Sequence, residues 1–369
     1  MGNEHRFLAT HKKNREPWQF KDAVVFRGDG EPRHPVVTAL KISELSEDDL
    51  QPDSYSLGGS VELLEDRFAE MLGKPSAVFL PTGTLANHLA IRYLCGTRSR
   101  VVVQEQSHLF NDSGDCAARL SGINLVPLGV GFPYFTLDEL KENVDRTETF
   151  RVASPIGAVV IESPVRRCSG QVVPFEQMRE ITEYCKKQGL GTHLDGARLY
   201  MMTAATGISP LEYAKLFDTV YVSLYKYFGA PFGAILAGPS EYIDGMYQER
   251  RMFGGGLAST ALVAALALKE LEGFEARFSA AMSRAENLFT HIESINGIAF
   301  ERFERGSNIF PLKLSPEVNV DKFVSFLRDR SVFVYPVDND PRSFELTVNT
   351  TILRRSEIEL VDAFRAALG

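Results

Sequence analysis

Cysteine is scarce in this 369-residue chain: Cys95, Cys116, Cys168 and Cys185 stand far apart. That spacing makes neither a disulfide framework nor a C-x-x-C metal pattern, so reduced thiols and no metal site are expected. No stretch of eighteen apolar residues occurs, which argues against a membrane-spanning helix and a membrane partner. The opening MGNEHRFLATHKKNREPW has no apolar core of signal-peptide length, and a cytoplasmic protein is expected. Gly2 is not followed by the full myristoylation pattern. Clustered Lys and Arg are also missing. With 40 basic against 48 acidic residues and a net charge of −8, the chain lacks the cationic surface that binds nucleic acid. The spaced glycines of a dinucleotide fingerprint or a Walker loop are absent, which disfavours a nicotinamide or nucleotide enzyme.

What is present is an ordinary globular composition, 44% hydrophobic and 24% charged. The length suffices for a large core divided into one large and one small domain. Residues 61–72 carry apolar side chains at helical spacing before Gly73. Strands are predicted at 76–80, 101–103, 158–161, 190–194 and 219–224, with helices at 85–94, 175–188 and 210–217 between them. That alternation is the pattern of a parallel sheet covered on both faces. After Gly254-Gly255-Gly256 an Ala- and Leu-rich helix over 257–271 bridges to a compact α+β unit. There strands are predicted at 309–314, 332–336 and 344–348, and helices at 320–329 and 356–367. The expected division is an N-terminal arm over 1–30, a large domain over 31–255 and a bridging helix with a small domain over 256–369.

The chemistry concentrates between Thr192 and Gly238. Asp195 closes one predicted strand and Lys226 follows another, 31 residues later, the length of one helix and its connections. Either residue alone reads as a turn former or a solvated charge. Delivered by two strand ends of an open α/β sheet, they face one ligand crevice. Pyridoxal phosphate needs that pair: a lysine for its aldehyde, and an acid that keeps its ring nitrogen protonated so that the ring draws electrons. Upstream, Pro81-Thr82-Gly83-Thr84 links a strand to a helix, a turn whose free N–H groups hold phosphate. His108, after the strand at 101–103, is either a ring that lies on the cofactor or a hydrogen-bonded structural histidine.

With these residues in order, the chain resembles the threonine aldolase and β-eliminating lyase family of fold-type-I pyridoxal phosphate enzymes over nearly its whole length. FLPTGTLANHLA (79–90) is similar to the family's phosphate turn, HLDGARLY (193–200) to its Asp and Arg motif, and SLYKYFGAPFGAILAG (223–238) to its lysine motif. SYSLGGSVELLE (54–65) and RRMFGGGLAST (250–260) also resemble family segments. The resemblance implies an α/β three-layer sandwich with a mostly parallel sheet, a smaller C-terminal α+β domain, and a homodimer or homotetramer with active sites at the subunit interface. It implies that Gly83 and Thr84 bind phosphate, His108 stacks on the pyridine ring, Asp195 pairs with the ring nitrogen and Lys226 carries the cofactor as an imine. Arg198 would fork onto the substrate carboxylate, and Arg251 is a weaker phosphate candidate.

The family pattern also breaks. Gly28 stands where threonine aldolases carry Ser in an RSD phrase, Val165 where they carry a His that meets the β-hydroxyl, Ala258 in place of the GGGMR arginine, and Glu345 in place of a second carboxylate-binding arginine. Arg166 or Arg342 would be the replacement. The leading expectation is a lyase that cleaves a β-hydroxy-α-amino acid to glycine and an aldehyde. The alternatives are β-elimination, racemisation or transamination, or a non-catalytic protein that keeps the fold and the cofactor.

Overall fold

The computed structural model describes residues 16–149 and 151–369, and the first half of the expected N-terminal arm lies outside the described residues. Its strands are β1 (Val24–Val25), β2 (Ser76–Leu80), β3 (Arg100–Gln104), β4 (Asn124–Leu128), β5 (Ile156–Glu162), β6 (Gly191–Asp195), β7 (Thr219–Ser223), β8 (Ala234–Gly238), β9 (Ile298–Phe300), β10 (Ile309–Leu314), β11 (Val332–Phe333), β12 (Pro336–Val337) and β13 (Asp340–Thr347). Seven of them form one sheet in the order β2-β8-β7-β6-β5-β3-β4. All its pairings are parallel except those of β8, which runs against both neighbours.

This sheet is buried on both faces. Alternate residues of a strand point to opposite sides. Val102, Val159, Ile161, Val220 and Val222 accordingly pack into one layer with helices Gly59–Leu72, Phe175–Gln188 and Phe274–Glu293. Val101, Val103, Ala158 and Val160 pack into the other, against the helix Gly83–Cys95. All seven residues of β5 are buried, which is why its first six, IGAVVI, are an unbroken apolar run rather than an alternating one. The architecture is the expected three-layer α/β sandwich. A second sheet, β12-β13-β10-β9, forms the smaller C-terminal unit. No helix among the described residues is long and apolar enough to cross a membrane.

Several boundaries differ from expectation. The helix expected from Leu85 begins at Gly83, because Thr82 is its N-cap and accepts the Leu85 N–H on its hydroxyl. The single strand expected over 332–336 is two strands: β11 pairs in parallel with β1 and β12 with β13. The helix expected from Leu257 starts at Ala261, where the Asp53 carboxylate accepts the N–H groups of Thr260 and Ala261. β4, β8 and the helices Leu137–Thr149 and Leu199–Thr206 were not foreseen.

Candidate active site

The adjacent strands β7, β6, β5 and β3 bring four groups to their carboxyl ends, where an open α/β sheet receives its ligand. Asp195 is the last residue of β6 and Glu162 the last of β5, and the two are register partners. Lys226 follows β7, and His108 opens a short helix after β3. Asp195 is buried, with Oδ2 accepting from Asn87 Nδ2 at 2.6 Å and Oδ1 from the Ala197 N–H at 3.1 Å. Behind it His193 bridges Asn87 Oδ1 (2.9 Å) and Thr219 Oγ1 (2.8 Å). Desolvation pushes the His193 ring down to about 4, so it is neutral.

The phosphate turn has the geometry of an anion cradle. Thr82 satisfies Leu85 and Ala86, and the N–H groups of Gly83 and Thr84, the first two of the helix, have no partner among the described residues. A Cβ at Gly83 would lie 1.9 Å from Tyr221 Oη, so only glycine lets this turn close on β7. Nearby on β7, the buried Ser223 Oγ has no hydrogen-bond partner of normal geometry among the described residues. Arg250 is buried and donates to the carbonyls of Phe79 (3.0 Å), Tyr55 (3.0 Å) and Ser56 (3.3 Å), tying the loop at 55–56 to the end of β2 beside the turn. Arg251 is exposed, 4.5 Å over the Tyr55 ring, and donates to Tyr247 Oη.

Charge is packed densely around Lys226. Burial, and then the positive charge of Arg198, push its amine down to about 8. Burial, reinforced by Asp195, pushes Glu162 up to about 7. Glu162 acts as a clip: Oε2 accepts the His108 N–H at 2.5 Å and Oε1 the Arg166 N–H at 3.1 Å, fixing both loops to the end of β5. Arg198 donates Nε to Asp29 Oδ2 at 2.8 Å, and the other Asp29 oxygen accepts from Asn308 at 3.3 Å. Neither Nη of Arg198 makes a hydrogen bond among the described residues, so two donors remain for a carboxylate. Ser113 Oγ lies 3.5 Å from His108 Nδ1.

The departures have structural consequences. Val165 is fully buried in the main core, so that position sends no polar group into the crevice. Gly28 adopts φ +78°, and Gly30 packs so closely on Lys226 that a Cβ would lie 2.8 Å from its carbonyl oxygen. Ala258 accepts the Tyr55 N–H on its carbonyl. Glu345 is exposed and accepts from Ser169 Oγ at 2.7 Å. Arg342 donates to the carbonyls of Ser315 and Val318, which removes it as the replacement arginine. Arg166 is exposed, and its guanidinium has no partner among the described residues. Sequence reasoning missed Asp29, Asn87, Glu162 and Ser223 as parts of the site. Asn87 and Ser223 stand inside the motifs at 79–90 and 223–238, and Glu162 directly follows the strand predicted at 158–161.

The residues present fit pyridoxal phosphate: two unpaired N–H groups and an orphaned hydroxyl for its phosphate, a buried carboxylate for its ring nitrogen, and an amine of lowered basicity for its aldehyde. Comparison with known proteins agrees. The low-specificity L-threonine aldolase of Escherichia coli K12 is 25% identical over 318 residues, 86% of this chain and 92% of that protein. An alanine racemase of Cochliobolus carbonum is 33% identical over 210 residues, 56% of this chain and 53% of that protein. The crystal structure of a Listeria monocytogenes protein provisionally described as an L-allo-threonine aldolase superposes with a TM-score of 0.78 at 29% identity, covering 95% of this chain and 98% of that one. Residues 41–313 match the beta-eliminating lyase family, to which the chain belongs, and its cofactor is pyridoxal phosphate.

Proposed function

We propose that the protein cleaves a small β-hydroxy-α-amino acid between Cα and Cβ to give glycine and an aldehyde. One observation carries the reading: Lys226, Asp195 and the open fork of Arg198 converge on the crevice that also holds the unpaired N–H groups of Gly83 and Thr84. Gly83, Thr84 and Ser223 would hold the phosphate, Asp195 the ring nitrogen, His108 the ring face and Lys226 the aldehyde carbon. When bound, the cofactor withdraws the electron pair left on Cα. Arg198 holds the substrate carboxylate through its two Nη groups and so orients Cα. Lys226 Nζ would carry the proton to Cα; with its basicity lowered to about 8 it gives and takes protons near neutral pH. The β-hydroxyl proton goes to His108. Val165 offers no acceptor, and His193 has both ring nitrogens engaged.

A second reading is racemisation at Cα. The burial of Val165 favours it, since β-hydroxyl chemistry loses the side chain expected there, and so does the likeness to the fungal alanine racemase. A panel of L- and D-amino acids separates the two. Aldol cleavage releases glycine and aldehyde from threonine and its isomers; inversion of alanine without aldehyde release supports the racemase instead.

The active assembly is a homodimer or a tetramer built from it. The helix Pro35–Ser43 buries none of its residues, and Val36, Leu40, Leu57 and Leu262 are exposed, an apolar surface that a second copy would cover. A monomer mass by sedimentation equilibrium would contradict this. Arg251 then serves a phosphate through that interface, and Arg166 supplies the carboxylate contact that Glu345 does not. The cytoplasm is the proposed location, supported by the four free cysteines.

A further inference from the structure

Behind Asp195 runs a line of four side chains that are almost wholly inaccessible: Thr219, His193 and Asn87 are 0% exposed and Asp195 is 2% exposed. Their hydrogen bonds have one consistent direction. Asn87 Nδ2 lies 2.6 Å from Asp195 Oδ2 and must be a donor, because two oxygens would repel there. The other end of the amide, Oδ1, is then an acceptor, and the atom 2.9 Å from it, His193 Nε2, must carry a proton. Burial keeps the ring neutral, so Nδ1 is bare and accepts from the Thr219 hydroxyl at 2.8 Å. Each link joins one donor to one acceptor, from Thr219 through His193 and Asn87 to the carboxylate.

We infer that Asn87 and His193 are positioning residues that fix the rotation of Asp195 toward the cofactor's ring nitrogen, an inference that rests on the cofactor reading above. The Ala197 N–H holds Oδ1 from one side and Asn87 holds Oδ2 from the other, so the carboxylate cannot swing. His193 determines which way the Asn87 amide faces. A flipped amide would place its oxygen against Asp195 and its nitrogen against the His193 N–H. The amide between imidazole and carboxylate donates a hydrogen bond without adding a charge. The full negative charge of Asp195 is therefore left for the ring nitrogen.

Two measurements test this. In cofactor-free protein labelled with nitrogen-15 at histidine, with His193 assigned by its loss in His193→Gln, the ring is expected as the neutral Nε2–H tautomer at neutral pH. An Nδ1–H tautomer or an imidazolium overturns the inference whether or not the cofactor reading stands. Titration of the cofactor-free variants with pyridoxal phosphate, followed by its visible absorbance, gives the second readout. His193→Phe is expected to weaken binding about tenfold, the scale of one lost buried hydrogen-bond partner, and to move the pH midpoint of the bound cofactor's absorbance. His193→Gln, whose amide nitrogen can replace Nε2, is expected to stay within about twofold of the parent. Equal affinity and an unmoved midpoint for His193→Phe would overturn the inference. If the parent binds no pyridoxal phosphate, the functional reading fails separately, and the tautomer still decides the relay.

Discussion

The Asp29–Arg198 pair carries the sharpest quantitative prediction. Its side chains are 6% and 13% exposed, the Nε–Oδ2 distance is 2.8 Å, and Asn308 holds the second oxygen of Asp29. Asp29→Asn keeps the shape but leaves Arg198 as a buried charge with no direct counter-ion. Removing one partner of such a pair costs about 3–5 kcal/mol. Arg198→Met leaves Asp29 stranded at a similar cost. Removing both ends relieves part of each penalty, so the double variant should lose less than the sum of the two single ones by about 2–3 kcal/mol. Urea unfolding of cofactor-free protein measures all four corners of the cycle. The two variants also differ functionally. Arg198→Met removes the carboxylate fork and should raise KM sharply while cofactor retention persists; Asp29→Asn should raise it less, because the two Nη donors remain but lose their orientation. Additive stability changes within about 0.5 kcal/mol, or an Asp29→Asn variant as stable as the parent, would refute the claim that the pair anchors the substrate arginine.

Capture of pyridoxal phosphate by the cofactor-free protein requires the unprotonated Lys226 amine, so its rate should rise with pH through about 8 and then level off; a midpoint near the ordinary lysine value would contradict the buried, Arg198-facing environment. Gly83→Ala places a methyl 1.9 Å from Tyr221 Oη and should cost about 1–3 kcal/mol in stability along with most of the cofactor affinity; unchanged cofactor titration would remove Gly83 from the phosphate site. Burial raises Glu162 to about 7 from the ordinary glutamate value of 4.5, so the native state binds its proton more tightly than the unfolded chain. The resulting stabilisation, up to about 3 kcal/mol, is complete below the unfolded value and lost as pH rises through about 7. Glu162→Gln should abolish that decline in the urea midpoint of cofactor-free protein, and a parental slope in the variant would refute it.

The parts of the site that were legible in the sequence are those fixed by local structure. Asp195 and Lys226 stand at the ends of apolar and β-branched runs, and Gly83 lies in a strand–turn–helix junction, so short-range pattern suffices to place them. The Phe175–Gln188 helix, β10 and the Val320–Asp329 helix were legible to the residue for the same reason. What was not legible is long-range pairing. Asp29 meets Arg198 across 169 positions and Asn87 meets Asp195 across 108; no window of sequence contains both members. β8 escaped notice because AILAG is rich in Ala and Gly, weak strand formers that become a strand only between β2 and β7. The run 332–336 reads as one strand, yet its two ends are claimed by different partners, β1 and β13.

The central claim is that Lys226 carries the cofactor. Borohydride reduction of the purified protein after incubation with pyridoxal phosphate, followed by peptide mass spectrometry, tests it directly. The account predicts a reduced pyridoxyl phosphate group on Lys226, and none on the Lys226→Ala variant. Label on a different lysine, or no label on the parent, would contradict it.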